Sequence, residues 1–242
     1  MKGFILAAGF GKRMGDLTKD KPKPLLPVNG IPLIYYSLFQ LFRWGLRETF
    51  INLHYRGDMI ERELQDFPHM TLRFSHEKEI LGTAGGLRKV LGQVEDEWLL
   101  VLNPDTVMAP AVAMDPGNLA VQLTRTRGDL LGLAPRKSHE NVSAIQKLED
   151  DTLRFEEHAP YYYMGYSFVR CERLRSLPAE SFAEMGTIWR VQAAAGELRG
   201  FEYEGGLWDA GTEGAYYSLP GLIFEGEMAE EFTEFLSYRR QK

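Results

Sequence analysis

Residues 6–23 gather the residue types that hold a chain of phosphates. Leu6 leads into Ala8, Gly9 and Gly11, and the two glycines let the backbone turn sharply and come close to a ligand. Free N–H groups in such a turn make an anion-binding concavity. Lys12 and Arg13 follow at once, then Lys19, Lys21 and Lys23. Pro22 and Pro24 restrict the backbone on both sides of Lys23, so its side chain is presented rather than left to wander. Farther along, Asp105 stands just past an apolar run at 98–102, a place from which a carboxylate can hold a divalent cation, and Asn103 is its polar neighbour. Between these lies Glu77 to Leu87, E-K-E-I-L-G-T-A-G-G-L, where Gly82, Gly85 and Gly86 frame Thr83 and Ala84. A glycine-rich turn before a helix offers bare backbone to a flat ring or an anionic group.

The elements that must position these residues read as alternating strands and helices. Residues 4–7 suit a buried parallel strand that delivers the first glycine turn. Residues 25–28 are extended and end in the turn pair Asn29-Gly30, after which Pro32 suits a first helical turn. Leu33, Ile34, Leu38, Leu41 and Phe42 form an apolar stripe, and Gly45 closes that helix. Residues 49–53 predict a second strand carrying Asn52 and His54 at its end, and Asp58 is expected to cap a short helix through Gln65. Further strands are expected at 71–75, 98–102, 130–134 and 161–169, with a helix over 87–91 directly after the glycines. Residues 136–140 read as a polar loop, and 144–149 with 152–155 as a hairpin around Asp150-Asp151. The amphipathic stretch 227–240 predicts a terminal helix whose Phe232, Phe235 and Leu236 pack back on the body.

The 242 residues, 44% hydrophobic, can bury a substantial core and are read as a single domain over 1–242. A net charge of −6 makes the basic N-terminal stretch a local feature, so nucleic acid is not an expected partner. Cys171 is the only cysteine, which excludes an internal disulfide, fits a reducing compartment and suits a small buried apolar residue. No apolar run nears the roughly 20 residues of a membrane span. Lys12 and Arg13 also cut the first apolar stretch too short for a signal peptide, so a cytoplasmic protein without a membrane partner is expected.

Two phosphate motifs are excluded by single residues. A dinucleotide fingerprint needs glycine where Met14 stands, and a Walker A loop needs serine or threonine where Arg13 stands. What remains, Leu6-Ala7-Ala8-Gly9-Phe10-Gly11-Lys12-Arg13-Met14 followed by Pro22-Lys23-Pro24-Leu25, resembles the signature of the sugar-1-phosphate nucleotidyltransferases, L-A-A-G-x-G-x-R-M then P-K-P-L. The L-G-T-A-G-G loop, Asn103-Pro104-Asp105 against the family's N-G-D, and Trp208-Asp209-Ala210-Gly211-Thr212 against W-x-D-x-G-T extend the resemblance along nearly the whole chain.

The resemblance implies a Rossmann-like α/β fold, a mixed and mostly parallel central sheet flanked by helices. It implies transfer of a nucleoside monophosphate from a nucleoside triphosphate to a sugar 1-phosphate, with Mg²⁺ as cofactor. Arg13 and Lys23 would be catalytic. Leu6, Ala8, Gly9, Gly11, Glu77, Gly82, Thr83 and Asn103 would bind the nucleotide, and Asp105 and Asp209 would hold the metal. Glu157 and Gly165 would meet the sugar; the lysine of the family's E-K-P is absent, with His158 and Ala159 in its place. The I-N-L-H segment and the L-G-T-A-G-G loop resemble N-acetylmuramate-1-phosphate uridylyltransferases, and the loop also resembles mannose- and heptose-1-phosphate guanylyltransferases. Pro104 and the missing lysine leave a non-catalytic sugar-nucleotide sensor as the alternative. Oligomeric state is not legible.

Overall fold

The computed structural model describes every residue except 110–115, 137–142, 220, 222 and 242. Pro110 and most of the loop expected at 136–140 therefore lie outside the described residues. The chain opens with β1 (Lys2–Ile5) and a 3-10 segment at Lys12–Thr18, then the small ribbon β2 (Pro27–Val28) and β3 (Ile31–Pro32) around Asn29-Gly30. There follow α1 (Leu33–Arg43), β4 (Glu48–Leu53), α2 (Gly57–Glu63), β5 (Thr71–His76), α3 (Gly82–Val90) and β6 (Trp98–Leu102). The second half runs β7 (Thr106–Ala109), α4 (Pro116–Arg125), β8 (Leu130–Pro135), β9 (Ala144–Lys147), β10 (Leu153–Phe155) and β11 (Tyr161–Arg170). It ends with α5 (Cys171–Arg175), α6 (Met185–Ala194), β12 (Arg199–Glu202), β13 (Gly206–Asp209), α7 (Glu213–Tyr217) and α8 (Gly226–Phe235).

As the resemblance implied, these elements form a mixed central sheet flanked by helices, in the order β10-β9-β11-β6-β1-β4-β5, with β8 beside β11 and β12 beside β8. The block β6-β1-β4-β5 is parallel throughout, so the carboxyl ends of four strands share one edge. In α/β sheets that edge is where ligands bind. The apolar strands explain why: Trp98–Leu102 is buried along its whole length, so β6 must have cover on both faces. One face is covered by α1 with α8, the other by α3, α5 and α6. Aromatic pairs join α1 to α8, with Phe39 to Phe232 at 4.9 Å, Phe39 to Phe235 at 5.2 Å and Tyr36 to Phe232 at 5.0 Å between ring centres.

Four local expectations are corrected. The first strand is Lys2–Ile5 rather than 4–7, because the chain already turns toward the loop at Ala7, whose N–H is held by Asn52 Oδ1 at 2.7 Å. Asp58 does not cap α2; Arg56 does so in the left-handed region without a side-chain cap, and Asp58 instead pairs with Arg62 at 2.5 Å. Thr212 caps the short helix α7, accepting from Ala215 N at 3.3 Å. The terminal stretch breaks at Leu236 into α8 and a 3-10 turn at Ser237–Gln241. The fourth correction bears on the site: α3 begins at Gly82, so the glycines lie inside the helix rather than before it.

Candidate active site

A cleft of about 380 Å³ opens at the carboxyl edge of the parallel block. From β1 and its loop it receives Leu6, Ala8, Gly9, Gly11, Lys12 and Arg13. The loop is shaped by what its first residues bind. Leu6 N still pairs with Leu102 O at 3.0 Å, and Ala7 N with Asn52 Oδ1, whereas the N–H groups of Ala8, Gly9 and Gly11 have no acceptor among the described residues. Gly11 holds φ +66, which a side chain rarely tolerates, and Gly9 has open space where a Cβ would stand. The result is a row of unpaired donors beside two exposed cations, an anion cradle of the kind the sequence suggests.

Lys23 reaches the same cleft from the 3-10 turn Lys23–Leu25, where Pro22 and Pro24 are both buried. Its Nζ donates to Asp105 Oδ2, and both side chains are largely withdrawn from solvent. Asp105 is in place because β6 ends at Leu102 and a turn closed by Thr106 N to Asn103 O, 3.4 Å, carries the chain into β7. Asn103 N donates to Gly165 O at 2.8 Å.

The two aspartates expected to hold a metal, distant in sequence, are joined by a ribbon. Strand β13 pairs antiparallel with β7, setting Asp209 opposite Thr106, and Ala210 N donates to Asp105 O at 2.8 Å. Partial desolvation raises the Asp209 pKa, and the Asp105 carboxylate adds to the rise; Lys23, the Gly211 N–H and Arg13 oppose it. Asp209 is exposed as a residue. Asp105 lines the cleft while Asp209 does not, though Gly211 of its segment does; two neighbouring carboxylates are a donor set suited to a hard cation that takes its remaining ligands from phosphate and water.

The other wall comes from α3. Glu77 is buried, with Oε1 accepting from Asn52 Nδ2 at 2.7 Å and Oε2 from Leu81 N at 2.9 Å. Glu77 thus braces Asn52, which in turn holds Ala7 and the glycine loop. His54 is part of the same bracing, its Nδ1 2.9 Å from Glu77 O. Gly82 and Thr83 line the cleft, but the next N–H groups of the helix, those of Thr83, Ala84 and Gly85, are closed off by the chain itself. Ala183 O accepts from Ala84 N at 2.9 Å and Gly85 N at 3.1 Å, and Glu184 Oε2 accepts from Thr83 N at 3.3 Å. The glycines allow this approach. A Cβ on Gly82 would stand 2.5 Å from Ala183 O, and one on Gly85 2.4 Å from Ser181 O. A Cβ on Gly86 would stand 2.8 Å from both Asn52 Nδ2 and Glu77 Oε1. An anionic ligand at this helix end would therefore find only the Gly82 N–H without an acceptor among the described residues.

Glu157 and Gly165 do not line the cleft. Glu157 is exposed, and Gly165, at φ +84, makes room for Thr106 Oγ1 and Asn103 rather than for open cavity. The sequence reading passed over Asn52's bracing role and the whole segment 181–185. Asn52 could have been found as a polar residue in an otherwise apolar strand; Glu184 carries no local signal, since its partner Thr83 is 101 residues away.

Residues 2–125 match the family described as Nucleotidyl transferase. The chain is 31% identical over 218 residues to an N-acetylmuramate alpha-1-phosphate uridylyltransferase of Neisseria meningitidis, covering 88% of this chain and 94% of the relative. It is 26% identical over 159 residues to a D-glycero-alpha-D-manno-heptose 1-phosphate guanylyltransferase of Aneurinibacillus thermoaerophilus, covering 65% and 67%. In fold it is similar to HddC from Yersinia pseudotuberculosis, with TM-score 0.72, 20% identity and coverage of 89% and 96%. The match to the family over half the chain, together with a relative matched almost end to end, makes this chain a member of the nucleotidyl transferase family.

Proposed function

We infer that this chain transfers a nucleoside monophosphate from a nucleoside triphosphate to a sugar 1-phosphate, releasing pyrophosphate, with uridylyl or guanylyl transfer favoured. The observation that carries the reading is convergence: unpaired N–H groups of the first loop, Arg13, Lys23 and the Asp105 carboxylate meet in one cleft, and the β7–β13 ribbon holds Asp209 next to Asp105. The names of the two relatives supply the sugar 1-phosphate and the two nucleotides.

In this reaction a sugar-phosphate oxygen attacks the α-phosphorus in line and pyrophosphate leaves. No protein nucleophile is required, and the demands are positioning and neutralisation of phosphate charge. The N–H groups of Ala8, Gly9 and Gly11 cradle the triphosphate. Arg13, exposed and without an ion-pair partner among the described residues, offers a planar fork of donors to it. Lys23 stands between the two phosphates that must approach and screens their repulsion, exchanging Asp105 for phosphate oxygen as substrate enters. Leu6, Gly82, Thr83 and Asn103 form the wall along the nucleoside, and Glu77 holds that wall in register. Asp105 and Asp209 would hold Mg²⁺. When bound, the ion lowers the negative charge of the reacting phosphates.

Pyrophosphate release tests the reading. Wild-type protein with Mg²⁺ is incubated with each of four nucleoside triphosphates against N-acetylmuramate, heptose and mannose 1-phosphates. UTP or GTP is expected to support release with at least one sugar. Tight binding of nucleotide or nucleotide sugar without release from any pair would assign the chain a sensing role instead.

A further inference from the structure

Glu184 precedes α6 and lines the cleft at the start of α3. Its two oxygens are used unequally. Oε2 accepts from Thr83 Oγ1 at 2.7 Å and Thr83 N at 3.3 Å, and Thr83 Oγ1 accepts in turn from Met185 N at 2.8 Å. This latch fixes the carboxylate, and Oε1 has no hydrogen-bond partner among the described residues. The helix behind it is anchored too: the buried carboxylate of Asp129 accepts from Trp189 Nε1 at 3.0 Å and Gln192 Nε2 at 3.1 Å.

Glu184 also stands at a junction. Together with Leu6, Thr83 and Asn103 it lines a second recess of about 200 Å³, closed behind by Tyr163, Ser167 and Trp189. No cation among the described residues pairs with it, since Lys23 is held by Asp105, and Lys12 and Arg13 lie on the first loop. An unneutralised carboxylate repels phosphate, so the part of a substrate that it meets must carry hydrogen-bond donors.

Resting on the nucleotidyl-transfer reading, we propose that Glu184 is a substrate-reading residue: Oε2 is committed to Thr83, and Oε1 accepts a hydrogen bond from an N–H or O–H of the substrate away from its phosphates. Two parts of the substrates offer that chemistry, a ring or exocyclic N–H of the base and a hydroxyl or amide N–H of the sugar. The acceptor discriminates between ligands because a donor that is missing leaves the carboxylate buried under substrate and unpaired.

Equilibrium titration separates the cases and does not need turnover. Dissociation constants for UTP, GTP and the sugar 1-phosphates are measured by calorimetry for wild type, Glu184→Gln and Thr83→Val, with melting curves for each. Gln keeps an acceptor for Thr83 and puts an amide where Oε1 was. The expected result is a rise of about tenfold or more in one class of dissociation constant, the scale of one hydrogen bond to a charged group. A rise for triphosphate assigns the donor to the base, and a rise for sugar 1-phosphate assigns it to the sugar. Thr83→Val, which loosens the latch and leaves Oε1, should raise the same constant less. If Glu184→Gln fails to fold, Glu184→Asp, which keeps the charge and withdraws it by one methylene, is judged by the same criterion. Unchanged constants, or a lowered melting temperature alone, would reduce Glu184 to a structural latch and overturn the proposal. Altered binding with no turnover from any substrate pair would leave Glu184 as a reader and remove the transfer reaction. Wild-type protein that binds none of these ligands would remove both.

Discussion

Two glycine-rich stretches face each other across the cleft, and they use glycine for opposite purposes. Around Gly9 and Gly11 the N–H groups are left unpaired; Gly9 leaves open space toward a ligand, and Gly11 supplies the left-handed turn that sets the loop. Around Gly82, Gly85 and Gly86 they let the chain press on itself, with Ser181, Ala183, Asn52 and Glu77 where side chains would have been. The first loop is built to receive and the second is already filled. Glycine spacing alone does not separate these cases; the fate of the neighbouring N–H groups does.

The largest expected effect lies on the receiving side. Lys23→Ala should lower turnover by roughly 10²–10³, the cost of losing one donor that acts on charge in the transition state. Its melting temperature should fall, because the variant leaves the largely buried Asp105 carboxylate without its partner, but the chain should still fold cooperatively. Steady-state rates with melting curves check both, and near-normal turnover would remove Lys23 from the mechanism.

The aspartates come next. Asp105→Asn and Asp209→Asn should each raise the Mg²⁺ concentration for half-maximal rate, since a neutral amide oxygen replaces a charged ligand. Metal titrations of the rate measure this. An effect at Asp105 alone would leave Asp209 outside the metal site, with only its charge touching the reaction.

A matched pair of glycine variants tests the contrast itself. Gly85→Ala puts a methyl 2.4 Å from a backbone oxygen and should cost about 1–3 kcal/mol, the range for overpacking, read as a melting temperature lower by several degrees. Gly9→Ala meets nothing within 4 Å and should melt like wild type, yet raise the Michaelis constant for nucleoside triphosphate by crowding the cradle. Equal stability losses in the two variants would erase the distinction.

These contrasts also mark what the sequence can convey. The first glycine loop was legible because its parts are contiguous: a strand, two glycines, two cations and a proline-bracketed lysine within a few turns of chain. The strands of the parallel block were legible because buried strands are continuous apolar runs, as at Trp98–Leu102. The Asp105–Asp209 pairing was not, since it depends on the register of β7 against β13, and only the family resemblance joined them. The start of α3 was misplaced because Gly82 and Gly85 have poor helix propensity, which contact with residues 181–184 overrides. Glu184 and Asp129 act across more than a hundred and about sixty residues respectively, and no local pattern announces such contacts.

The smallest effect concerns the support of the filled side. Burial pushes the Asp129 carboxyl up to about 6, against its hydrogen bonds from Arg170 N, Gln192 and Trp189. Because folding raises this pKa, the folded chain keeps the proton where the unfolded chain has lost it. Asp129 therefore makes stability fall as pH rises from about 4 to about 6. Asp129→Asn should flatten that part of the profile. Melting temperatures across the window, wild type against variant, check it, and an unchanged slope would place the proton elsewhere.

Isotope tracing tests the transfer reaction most directly. Wild-type protein, Mg²⁺, a sugar 1-phosphate and UTP or GTP labelled at either the α- or the γ-phosphate are allowed to react, and the products are separated. The account predicts α-label in a nucleotide sugar and γ-label in pyrophosphate. Label from the γ-position in free phosphate or in a phosphorylated sugar, or no transfer despite bound nucleotide, would contradict it.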